Sequence, residues 1–199
     1  MPRNFLEAIQ HRRTYYSIDH QITITPNQVE TIVKTAVLHT PSAFNSQSAR
    51  VLLLWGKHHT RLWEIVATTL RTKIGADRFA KTEEKINSFA AGYGTLLYFE
   101  NMTIVEQLQN QFPSYKENFP VWSQQSNGML QLVIWTALED EGLGASLQHY
   151  NPIIDEDVKN QWRVDENWKL IAQMPFGTPT QMLGEKEFMP IEERVFIYT

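Results

Sequence analysis

The chain has 199 residues, a formal net charge of −4, 42% hydrophobic and 20% charged residues, and no cysteine. That length fits one domain, residues 1–199, able to bury about 70% of its unfolded surface, and the composition is globular rather than disordered. Disulfides, a thiolate nucleophile and cysteine-type zinc sites are excluded, and the acidic balance argues against nucleic acid as a partner.

The N-terminal stretch Met1–Arg13 has no apolar core long enough for a signal peptide. Nothing approaches a run of about 18 apolar residues, so no membrane span is expected. A cysteine-free chain is compatible with a reducing cytoplasm, the expected location. Asn4 and Glu7 form an Asn-x-x-Glu capping box for a first helix ending near Arg12. Arg13–Tyr16 reads as extended. Thr25, Pro26 and Gln28 then open a second helix, with Thr25 as N-cap and Pro26 at the first position. Through His39 it places Val29, Ile32, Val33, Ala36 and Val37 on one face.

Pro41–Arg50 follows, a linker of small and amide-bearing residues leading into the apolar run Val51–Trp55, which predicts a buried strand. Helices are predicted over Thr60–Leu70 and Ala76–Phe89, then a second buried strand at Thr95–Phe99. Gly92-Tyr93-Gly94 follows no strand and opens no helix, which argues against a phosphate loop. Met102–Gln111 is helical, Phe112–Pro120 an aromatic connector, and Val121–Glu141 the longest helix, stopped by Gly142 and Gly144. Ala145–Tyr150 is strand-like, Ile154–Trp162 an acidic-first helix, Leu170–Met174 a strand, and Val195–Tyr198 a last β-rich run. Alternating helices and strands leave the class as α/β or α+β.

Two stretches carry candidate chemistry. Arg12-Arg13-Thr14 reads either as a solvated basic turn facing the helix dipole or as a phosphate clamp of forked guanidinium donors and a hydroxyl. Ser42, Ala43, Phe44, Asn45, Ser46 and Gln47 form either a capped connector or a cradle for a flat ring. In the second case small side chains allow close approach and amides meet the polar edge. His58-His59 has no metal spacing, and a lone His149 beside a strand end is more often structural than a general acid. Phe112, Tyr115, Phe119 and Trp122 form either core or a pocket lid.

Arg-Arg-Thr after a first helix, then Pro-Ser-x-x-Asn-Ser-Gln after a second, resembles the FMN-dependent nitroreductase family. Gly94–Glu100, Gly144–Pro152, Trp168–Gly177 and Glu192–Val195 extend the resemblance over nearly the whole chain. They point to the branch of small fungal and bacterial members associated with fatty-acid repression and nitroaromatic stress.

The resemblance implies an α+β fold, with a central mixed sheet wrapped by helices and a C-terminal strand exchanged in a homodimer. It implies FMN held by Arg12, Arg13, Thr14 and Arg194 at the phosphate. Tyr16, Leu147, Gln148, His149 and the Ser42–Gln47 loop of the other subunit would lie at the ring. Arg194 has a plainer reading as a surface ion pair with Glu192 or Glu193. The implied activity is hydride transfer from NAD(P)H through flavin to a small aromatic acceptor, a nitroaromatic or quinone. A flavin-binding stress or regulatory protein with incidental turnover is the alternative. Tyr16 departs from the family, in which many members carry Arg or Lys near the flavin pyrimidine edge. A phenol supplies no positive charge, so the source of positive potential there is left open.

Overall fold

The computed structural model describes residues 3–199; Met1 and Pro2, part of the stretch read above for a leader, lie outside these. Both predicted capping boxes form. Asn4 caps α1 (Phe5–His11) with Glu7 answering, and Thr25 caps α2 (Pro26–His39) with Gln28 answering. Each ties off backbone N–H groups that a helix start leaves unpaired.

Five strands build the sheet: β1 (Ile18–Asp19), β2 (Ala49–Trp55), β3 (Gly94–Asn101), β4 (Gly144–Ala145) and β5 (Trp168–Pro179). Their order is β1-β5-β3-β2, with β4 added on β5, and every strand pair is antiparallel. Among the described residues the sheet is mixed only through a single parallel bridge between Thr14 and Ala145. β3 lies between β5 and β2 and is buried almost throughout, which is why it reads as a continuous apolar run. Its side chains alternate between two cores. Leu96 and Tyr98 join α2 and α6 (Phe119–Asp140) on one face. Leu97 and Phe99 join α3 (Lys57–Ile74), α4 (Ala76–Ala90) and α7 (Asp155–Trp162) on the other. α5 (Met102–Gln111) links β3 to the aromatic connector.

One expectation changes. The predicted strand Ala145–Tyr150 shrinks to Gly144–Ala145 plus an isolated bridge from Gln148 to Gln173, because beyond Ala145 only alternate residues bond to β5. The two-residue β1 has no pattern long enough to read. The tail 195–199 forms no strand within the chain, and Val195, Phe196, Ile197 and Tyr198 are exposed. Among the described residues, no helix is long and apolar enough to cross a membrane.

Candidate functional site

The chain leaves α1 through Arg12, whose N–H still bonds to Ala8, and then runs extended along β4. Tyr15 N–H donates to Ala145 O at 3.0 Å. Gly144 permits this approach, since a Cβ there would stand 2.8 Å from both Tyr15 Cγ and Pro179 Cγ. Arg13 N–H donates to Glu139 Oε2 at 3.3 Å, and the Arg12 guanidinium lies 4.3 Å above the Trp135 ring. Burial, and secondarily Glu139, raises the Tyr15 pKa above the usual tyrosine value.

Lys186 reaches the same place from the tail and donates to Gln10 O at 2.6 Å. Burial lowers its pKa below the usual lysine value, and the Arg12 and Arg13 charges lower it further. A cleft of about 690 Å³ opens here, lined by Arg13, Tyr15, Glu139, Lys186 and Phe188 among others. Among the described residues, none of Arg12, Arg13 and Lys186 is in an ion pair. Crowded cations with one half-buried carboxylate nearby attract an anion such as a phosphate.

Lys186 escaped the sequence reading. Its Gly-Glu-Lys-Glu setting looks like ordinary solvated surface, and only tertiary folding brings it beside Arg12. Arg194 follows a 3-10 turn at Ile191–Glu193. Among the described residues it makes no side-chain hydrogen bond or ion pair, neither with Glu192 or Glu193 nor with Arg12–Thr14.

Beyond β4 the chain continues as a wall along β5. Ser146 N–H donates to Pro175 O, Gln148 N–H to Gln173 O at 2.7 Å, and Tyr150 N–H to the Gln173 side chain at 2.7 Å. The Gln173 amide also donates to Asn151 Oδ1, so one buried glutamine fixes the far end of the wall. The alternate N–H groups, those of Leu147 and His149, donate to no acceptor among the described residues. An extended backbone turns successive N–H groups to opposite sides. The wall therefore presents free donors away from β5, an arrangement that suits the acceptor edge of a flat heterocycle. Gln148 is buried and donates to Ser146 Oγ, whereas the His149 side chain is exposed. His59 is structural: it is buried, with Nδ1 2.8 Å from Thr95 Oγ1 and Nε2 3.1 Å from Ala90 O.

The Ser42–Gln47 loop is built in another way. Ser42 Oγ accepts from Gln47 N–H at 2.9 Å, closing the loop on itself around a 3-10 turn at Ala43–Asn45. Phe44, Asn45 and Gln47 all take left-handed conformations, with φ of 55°, 52° and 48°. Such residues are uncommon outside glycine and cluster where function demands them.

Phe44 projects as the centre of an aromatic patch. Its ring lies 4.8 Å from Phe112, 5.3 Å from Phe119 and 5.9 Å from Tyr115, and it stacks on Trp122 at 6.0 Å. Phe119 alone of these is fully buried, and the patch belongs to neither core cluster. Behind the loop, Ser48 is buried beside a polar network. Asn127 donates to Glu100 Oε1 at 2.8 Å and Gln131 to Asn127 Oδ1 at 2.7 Å, while Glu100 Oε2 is buried without a partner.

Helix α6 carries both regions. Phe44 stacks on Trp122 near its start, and Arg12 on Trp135 near its end. Those positions are separated by about 20 Å at a rise of about 1.5 Å per residue. No hydrogen bond, ion pair or aromatic contact joins the loop to Arg12–Tyr16 among the described residues.

The arrangement matches known proteins. The nitroreductase family model aligns with residues 9–178. CinD, a nitroreductase from Lactococcus lactis, is 42% identical in its complex with nicotinic acid; its TM-score is 0.92, covering 98% of this chain and 100% of that one. Complexes of CinD with chloramphenicol and with 4-nitrophenol superpose similarly. The Saccharomyces cerevisiae nitroreductase FRM2 is 33% identical over 188 residues, 94% of this chain and 93% of that protein. A Desulfovibrio desulfuricans protein in complex with FMN, at 18% identity, shares the fold with a TM-score of 0.70 over 100% of this chain and 99% of that one.

Proposed function

The chain belongs to the nitroreductase family, and on that premise we propose that it is an FMN-dependent NAD(P)H oxidoreductase that works as a homodimer and reduces nitroaromatic or quinone-type acceptors. The observation that carries this reading is the pairing of free N–H donors at Leu147 and His149 with the unpaired cations Arg12, Arg13 and Lys186. One half suits the polar edge of a ring and the other a phosphate, the two ends of FMN.

The chemistry FMN supplies when bound is the storage and release of two electrons with a hydride. The chain's own residues hold, orient and shield. Arg12, Arg13, Thr14 and Lys186 bind the phosphate, with Arg194 assigned there by resemblance. Leu147 and His149 donate backbone N–H groups to the ring, while Gln148 and Gln173 keep that wall in register. Phe44 and its aromatic neighbours offer an apolar face to a flat acceptor. CinD in complex with 4-nitrophenol and with nicotinic acid, which shares its pyridine ring with nicotinamide, supports small aromatic ligands of both kinds.

Two unsatisfied features support the dimer. Among the described residues β2 pairs only with β3, leaving its other edge open along a groove of about 680 Å³ lined by Val33, Val37, Leu38, Val51 and Trp55 among others. The apolar tail Val195–Tyr198 lies exposed. An open apolar edge invites strand addition, and the tail of a second copy supplies the strand. The loop Ser42–Gln47 of that copy would complete the flavin site. A reducing cytoplasm, where NAD(P)H is available, is the matching location.

The test is a visible spectrum of the purified protein and chromatography of heat-released flavin, followed by NADH and NADPH oxidation with 4-nitrophenol and a quinone. Yellow protein releasing FMN, with acceptor-dependent turnover, is expected. No flavin after reconstitution with excess FMN would overturn the reading.

A further inference from the structure

Tyr15 and Tyr16 depart from the backbone toward different elements. Tyr15 packs on Gly144 and Pro179, whereas the Tyr16 ring lies 6.0 Å from Phe89 of α4. Over that ring stands Lys85, also on α4, with Nζ 5.3 Å from the Tyr16 centroid and 5.8 Å from that of Phe89. Tyr16 directly follows Tyr15, whose N–H is bonded to Ala145 O, where the Ser146–Tyr150 wall begins. Folding thus brings an ammonium from α4 to the corner where the Arg12–Tyr16 segment meets the wall.

The charge of Lys85 is not spent on a neighbour. Among the described residues it makes no ion pair, and Glu83, two residues before it, is held by Arg71 at 2.6 Å. A lysine settled over an aromatic face gains a modest cation–π attraction and keeps its charge available. At neutral pH a flavin ring carries more negative charge when reduced than when oxidised. A fixed cation at its edge therefore favours the reduced form and raises the reduction potential.

We propose that Lys85, held over Tyr16, is the positive charge that stabilises reduced flavin in this protein. The inference rests on the FMN reading above and assigns a residue that no local motif marks. Tyr16 acts as its platform: the phenol carries no positive charge, but its ring fixes where the ammonium sits. Lys85 is exposed on a helix surface, so replacing it leaves the core intact.

The test compares Lys85→Met and Lys85→Arg with the parent by fluorescence titration of oxidised FMN and by dye-equilibrated measurement of the midpoint potential. Lys85→Met should bind oxidised FMN within about twofold of the parent. Its preference for reduced over oxidised FMN should fall about tenfold, equal to a midpoint about 30 mV lower for a two-electron couple. Lys85→Arg should stay near the parent. A Lys85→Met protein that binds FMN normally at the parental potential overturns the role of Lys85 and leaves the FMN reading standing. Equal losses for both oxidation states also overturn it, because they mark a structural role. A parent that binds no FMN removes the reading beneath it as well.

Discussion

Between Arg12 and Tyr16 the backbone is fastened to the sheet, by the Thr14–Ala145 bridge and the Tyr15 N–H, and Arg13 is fastened to α6 through Glu139. Between Ser42 and Gln47 it is fastened mainly to itself, with three left-handed residues and a half-exposed phenylalanine turned outward. Under the proposed function the first region is a half-site finished within one chain. The second is prepared to meet something outside it. Their separation along α6 is the reason the proposed function joins them across two subunits rather than within one.

The largest expected effect breaks the finished half. Arg13→Ala combined with Lys186→Ala removes two charged donors, each worth about 1.5–3 kcal/mol, and should weaken FMN binding at least a hundredfold by fluorescence titration. Arg12→Ala alone should cost about 1.5–3 kcal/mol. Unchanged affinity in both would return the cluster to a solvated surface.

A smaller effect is expected from the outward half. Phe44→Ala removes the central ring of the aromatic patch and should raise KM for 4-nitrophenol several-fold, with folding stability lowered by less than about 1.5 kcal/mol because the ring is half-exposed. If thermal stability collapses while KM holds, the patch is a satellite core and the contrast between the regions is lost.

The smallest effect sharpens how the loop is supported. Burial raises the Glu100 pKa, against opposing contributions from Ser48, Asn127 and Arg50. The folded state therefore holds that proton more tightly than the unfolded state. The favourable contribution is complete at acidic pH below the usual glutamate value and is lost as pH rises through the elevated one. Glu100→Gln keeps the acceptor for Asn127 and removes the buried charge. It should gain about 1 kcal/mol over the parent at pH 7, the scale of one unsatisfied buried group, with the gap closing toward pH 4.5. Thermal unfolding across that range checks the sign.

The parts of the fold legible in the sequence are those encoded by neighbours in the chain. Asn4 with Glu7 and Thr25 with Gln28 act within one turn, and β3 announces itself because both its faces are buried. The clamp and the loop were legible as motifs, through resemblance. What the sequence did not reveal depends on tertiary approach. Lys186 enters the proposal because folding sets it beside Arg12, and Lys85 because α4 passes over Tyr16; resemblance places Leu147 and His149 at the ring, but that their N–H groups are left free depends on the register on β5. The tail has strand composition without a strand, since pairing requires an edge that its own chain does not bring to it.

The central claim is that each flavin site joins the Arg12–Thr14 half of one chain to the Ser42–Gln47 half of another. Mixing two inactive variants tests it most directly: one with Arg12 and Arg13 replaced by Ala, the other with Ser42–Gln47 replaced by glycines. After co-expression and isolation of the doubly tagged heterodimer, a composite site predicts one intact site per dimer, read as about half the parental FMN content. No recovered flavin in that heterodimer, with each homodimer also empty, would place both halves of the site in a single chain.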